Sequence, residues 1–73
     1  MAINRIESLV TGTVWKIERQ NGDTVVKGET ILIIESMKME IPIDAPVAGI
    51  LQDLLVAEGE SVSEGQVLAI VST

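Results

Sequence analysis

Six glycines set the register of this chain. They stand at positions 12, 22, 28, 49, 59 and 65, and the last three repeat the first three at an offset of 37. Laid side by side without a gap, Gly12–Glu35 reads GTVWKIERQNGDTVVKGETILIIE and Gly49–Ser72 reads GILQDLLVAEGESVSEGQVLAIVS. Gly12/Gly49, Gly22/Gly59, Val25/Val62, Gly28/Gly65 and Ile33/Ile70 are identical pairs. Val14/Leu51, Ile17/Leu54, Ile31/Leu68, Ile34/Val71 and, upstream, Val10/Val47 match in apolar character. Turn glycines recur in any β-protein, but loop lengths drift by a residue or two. Gapless agreement therefore points to a duplicated unit. Residues 1–73 are read as one domain containing the repeats 12–35 and 49–72.

Each repeat reads as strands. Short runs of Ile, Val, Leu and Thr are punctuated by glycine, and no window between glycines keeps a helical period for ten residues. The segments NGD (21–23), KGE (27–29) and EGQ (64–66) are turn signals. Gly12, Gly22, Gly28, Gly49, Gly59 and Gly65 are read as turn residues, with Gly22 and Gly59 needing positive φ. Ile31–Ile34 is apolar throughout, as suits a strand covered on both faces. The expectation is an all-β fold of about eight short strands in two sheets, its halves related by a quasi-twofold axis. One half alone leaves an apolar face wet, and stacking the two closes the core.

Composition narrows the function. The chain has no His and no Cys, which removes the usual general base, the thiol nucleophile and the soft metal ligands. No catalytic residue and no metal site are expected, so the chain is read as a non-enzyme. A phosphocarrier is excluded for want of a histidine to phosphorylate. A net charge of −6 repels nucleic acid and anionic membrane surfaces. The longest apolar run, Val67–Val71, is far short of the ~20 residues of a membrane span. The N-terminus lacks the apolar core of a signal peptide, and with no cysteine present the expected compartment is the cytoplasm. The chain is expected to be monomeric in isolation, and its Met start and VST end read as those of a whole small protein. Trp15, whose mate at the offset is the polar Gln52, reads as a partly buried residue of the body.

The offset also places Lys38. It lies in the link between the halves, ESMKMEIPIDAPVAG, and its counterpart is position 1. The link and the chain ends should thus occupy opposite edges of the molecule, with the ends together. SMKM joins the expected strands Thr30–Glu35 and Glu40–Ile43 as a hairpin tip held out from the body. A lysine used as a catalytic amine is activated by burial or a nearby cation. Glu35 and Glu40 supply neither. An exposed amine on a rigid tip is suited instead to being a substrate, acylated by an external enzyme.

With this repeat around ESMKMEIPIDAPVAG, the chain resembles the biotinyl/lipoyl carrier domains, and most of all the small free-standing biotin/lipoyl attachment proteins and the biotin carboxyl carrier protein domain. The resemblance runs from about Ile6 to Val71. It implies a flattened β-barrel, or barrel-sandwich hybrid. It implies that Lys38 carries biotin in covalent linkage, with Glu35, Ser36, Met37, Met39 and Glu40 forming the surface read by a biotin protein ligase. It further implies biotin carboxylase and carboxyltransferase as partners, between which the tethered biotin shuttles a carboxyl group. Pro46 and Gly49 match the A-P-x-x-G segment that opens the second half.

Three departures are visible. Leu9 stands where Pro46 falls in the second half, Ser36 replaces the more frequent Ala, and the stretch from Ile17 to Asp23 has no room for the protruding thumb of some bacterial carriers. Lipoate on Lys38, alone or as a second accepted cofactor, is the nearest alternative, although lipoyl sites usually read D-K-A where this chain has M-K-M. An unmodified β-sandwich interaction module is the other.

Overall fold

A computed structural model describes residues 2–73. Eight strands follow one another: β1 (Ile3–Glu7), β2 (Gly12–Ile17), β3 (Thr24–Val25), β4 (Thr30–Ser36), β5 (Met39–Asp44), β6 (Gly49–Leu54), β7 (Ser61–Val62) and β8 (Val67–Ser72). They form two four-stranded antiparallel sheets, β1-β8-β6-β3 and β5-β4-β2-β7. Shifting by 37 converts β2, β3 and β4 into β6, β7 and β8, and one sheet order into the other. The sheets do not close into a barrel. Their edge strands β1 and β5 stay unpaired with each other and flank an open cleft of about 300 Å³ between Ile6, Ile43, Leu9 and Pro46. Among the described residues, no helix is long and apolar enough to cross a membrane.

The core is built from mates. Ile6/Ile43, Val14/Leu51, Val25/Val62, Ile31/Leu68, Leu32/Ala69 and Ile34/Val71 are all buried. So is the pair Ser8/Ala45, and Val56 alone lacks a buried mate, because Arg19 occupies that place. Register breaks recur at matching positions. Trp15 in β2 and Gln52 in β6 are extra residues with no partner across β4 and β8. A second pair of bulges, at Ile31 and Leu68, lets two consecutive side chains point inward.

The halves clasp each other through their turns. Gly22 N donates to Leu51 O at 2.8 Å, and its mate Gly59 N donates to Val14 O at 2.7 Å. Leu54 N donates to Asn21 Oδ1 at 2.6 Å, and Ile17 N to Glu58 Oε2 at 3.0 Å. Each β2–β3-type connection is therefore fastened to a strand of the other half.

Two readings need correction. Gly22, Gly28, Gly59 and Gly65 do lie in turns at positive φ, but Gly12 and Gly49 are strand residues at the starts of β2 and β6. They are glycine because a neighbouring strand passes too close for a side chain: a Cβ on Gly12 would overlap the Glu35 carbonyl oxygen, and one on Gly49 that of Ser72. Trp15 is 46% exposed, because its bulge sets it on the surface of the sheet.

Where the first half lacks proline, Ser8 takes over. Its buried hydroxyl donates to Val10 O at 2.6 Å and holds the bend at Leu9. Its mate Ala45 needs no such bond, since Pro46 fixes φ itself. Arg19 forms an ion pair with Glu29, donating from Nε to Glu29 Oε2 at 2.7 Å. This bond, with a second from Val26 N, holds the Glu29 carboxyl below its usual range.

The chain ends meet. Thr73 N donates to Ala2 O at 3.0 Å and Ala2 N to Thr73 O at 3.4 Å, so the ends occupy the place equivalent to that of the link between the halves.

Candidate functional site

The link is a tighter hairpin than SMKM suggested. Ser36 and Met39 pair as the last rung of β4 and β5, which leaves a loop of only Met37 and Lys38. A two-residue loop matches the twist of the strands in a type I′ or II′ turn, and the type I′ form holds both of its residues at positive φ. Met37 is at φ 51° and Lys38 at φ 67°. Asn-Gly is the sequence this turn favours, and each Cβ-bearing residue held there costs about 1 kcal/mol. The fold carries that cost at the one place where its halves join. Met37→Asn is therefore expected to raise the unfolding free energy by about 0.5–1 kcal/mol in urea titration. An unchanged or lowered value would show the turn to be unstrained.

The tip is fastened below. Ser36 Oγ donates to Thr11 O at 2.8 Å and ties the base of the hairpin to the entry of β2. Thr11 escaped the sequence reading because only its carbonyl takes part. Alternation along the strands puts Glu35 opposite Glu40 on one face, and Ser36 opposite Met39 on the other. All six residues from Glu35 to Glu40 thus come together, but on two sides of the loop.

Exposure rises toward the end. Met39 is 63% exposed and Met37 92%. Lys38 is exposed, and among the described residues it makes no hydrogen bond or ion pair. Lys16, by contrast, lies 3.7 Å from Glu18. The geometry at Lys38 is that of a primary amine on a short, pinned loop, reachable from most directions. What it can do chemically is accept an acyl group as an amide and hold that group away from the body on a flexible side chain.

A family model described as "Biotin-requiring enzyme", for biotin/lipoyl domains, matches residues 4–71. The chain belongs to the biotin/lipoyl family. Among curated relatives of this biotin/lipoyl domain, the biotin/lipoyl attachment protein of Bacillus subtilis is 46% identical over 59 residues, covering 81% of each chain. The biotinylated protein TB7.3 homolog of Mycobacterium leprae is 34% identical over 67 residues, 92% of this chain and 94% of that one. Among solved structures, the Kluyveromyces lactis urea carboxylase superposes with a TM-score of 0.93 at 30% identity, over 99% of this chain and 6% of the enzyme. Other similar sequences lie within a biotin-dependent acyl-coenzyme A carboxylase subunit and within a dihydrolipoyllysine-residue succinyltransferase. Biotin/lipoyl domains of this size are carriers, not catalysts by themselves.

Proposed function

We propose that Lys38 of this biotin/lipoyl domain is the point of covalent attachment, and that biotin is the group attached. The observation that carries the proposal is the placement of Lys38: an exposed, unpartnered amine on the second residue of a two-residue turn at the junction of the halves. A biotin protein ligase would join the biotin carboxyl group to Lys38 Nζ, the activated acyl group losing its leaving group as the amide forms. The bound ring then supplies the carboxyl-carrying chemistry.

The chain's own residues do the holding. The two-residue turn and the Ser36–Thr11 bond keep the tip in one orientation, and the antiparallel body keeps it clear of the sheets. Met37 and Met39 offer pliable apolar contact to successive partners. Tethering raises the local concentration of the carried group at each active site it visits. A biotin carboxylase that loads the ring and a carboxyltransferase that unloads it are the partners this reading requires, and relatives within carboxylases support it. The M-K-M setting and the relative named as biotinylated favour biotin over lipoate.

Intact mass after co-expression with a biotin protein ligase, and separately with a lipoate ligase, decides between the cofactors. A biotinyl adduct mapped to Lys38 is expected. A lipoyl adduct alone would overturn the assignment of biotin, and no adduct in either case would overturn the attachment itself.

A further inference from the structure

The duplication contains its own control. Where the fold demands a residue, both halves mostly supply it, as the core pairs other than Val56/Arg19 and the glycines show. Where mates disagree on the surface, the fold is satisfied by either choice, and the difference is free to serve something else. One such disagreement lies on the outer face of the sheet that carries the Lys38 hairpin. Its first row below the tip is Glu40–Glu35–Thr13, and a further row is Pro42–Ile33–Lys16 with Trp15 bulged beside it. The twin face offers Ile3–Ser72–Ile50, then Arg5–Ile70–Asp53 with Gln52. A directly paired set of carboxylates and an indole are thus present only on the side leading to Lys38, the twin face carrying the single carboxylate Asp53 in a row with Arg5.

We propose that this face, from Glu40 and Glu35 down to Ile33 and Trp15, is the docking surface for the ligase that acylates Lys38, and that the ligase meets it with a basic, arginine-bearing patch. The inference rests on the reading of Lys38 as the attachment residue. A ligase arrives before any cofactor is in place, so it must choose Lys38 over Lys16 and Lys27 by the protein surface around it. Ile33 lies five residues along the strand from Lys38, about 16 Å at strand spacing. A standard interface covers about 800 Å² per partner, a disc whose radius is about that distance, so an enzyme seated on the tip reaches Trp15.

The chemistry is complementary to a cation. Glu35 and Glu40 are directly paired across the strands, an arrangement that repels itself until a positive group is placed between the carboxylates. Trp15, 46% exposed and the only aromatic residue, offers a ring face on which a guanidinium stacks. Lys16, the cation on this face, is engaged by Glu18.

The test is acylation of the full chain by a biotin protein ligase with biotin and ATP. Trp15→Gln installs the twin's residue. It is expected to melt like the parent and to raise the KM for the carrier about tenfold with kcat unchanged. Ile50→Gln, on the twin face, is expected to leave both constants unchanged. The KM of the parent should rise with added salt, and less steeply in the Glu35→Gln/Glu40→Gln variant. With 5-fluorotryptophan at Trp15, the single fluorine resonance should move when ligase is added. A Trp15→Gln KM within twofold of the parent, or a resonance that does not move, overturns the docking face and leaves Lys38 as the attachment point. A parent chain that takes no biotin overturns both.

Discussion

Lys38→Arg should give a folded protein with no acyl group on it under any loading condition. Arginine keeps the length and charge of the side chain and tolerates the same backbone, so the two-residue turn at φ 67° is unaffected. What it lacks is an amine that can shed a proton: the guanidinium stays protonated and delocalised, and its nitrogens do not attack an activated carboxyl group. Urea and thermal unfolding should match the parent, while intact mass after co-expression with either ligase should show the bare chain only. A mass adduct on the variant would mean that Lys16 or Lys27 takes the acyl group, and Lys38 would lose its role.

The second large effect falls on the body. Gly49→Val should prevent stable folding, and Gly12→Val should do nearly the same. At Gly49 a Cβ would sit within 2.9 Å of Val71 Cγ1 and in overlap with the backbone of Ser72. At Gly12 it would be 2.9 Å from Ile34 Cγ2 and in overlap with the backbone of Glu35. Relief requires β2 to part from β4, or β6 from β8, and the loss should exceed ~3 kcal/mol. Gly59→Val differs in kind. Nothing lies within 4 Å of its would-be Cβ, so only the positive φ is strained, at about 1–2 kcal/mol. Chemical denaturation of the three variants should therefore rank Gly49 and Gly12 well below Gly59. Equal losses at all three would show that close approach is not what demands glycine in β2 and β6.

Those glycines also mark where the sequence stopped being legible. The offset of 37 announces like halves, and the apolar mates along it lie in the buried core or pack against it, except Ile33 and Ile70, which stand on the outer faces of the sheets. Glycine itself is ambiguous, since the same residue serves a turn at 22 and a crowded strand at 12. Only the position of the neighbouring strand separates the two uses. Bulges were hidden for a similar reason: an extra residue in β2 is extra only relative to β4, so Trp15 read as part of the body. The hairpin was placed correctly but drawn too long. Met-Lys carries none of the Asn-Gly signal of a two-residue loop, and Ser36 and Met39 could not be seen to pair. At the candidate site the sequence showed which residues cluster. It did not show that the carboxylates and the Ser36–Met39 rung lie on opposite faces, nor that Thr11 anchors the tip.

The reciprocal fastening of the turns has a consequence for ancestry. Asn21 reaches over to Leu54, and Glu58 returns the same reach to Ile17. A peptide of half this length would leave those backbone groups bare, yet two copies of it could satisfy one another by trading arms. Such a homodimer, its genes later copied and fused in tandem, would yield one continuous polypeptide with a single new seam. In that arrangement the seam would fall at Met37 and Lys38, the loop whose equivalent in the other half is the meeting of the chain ends.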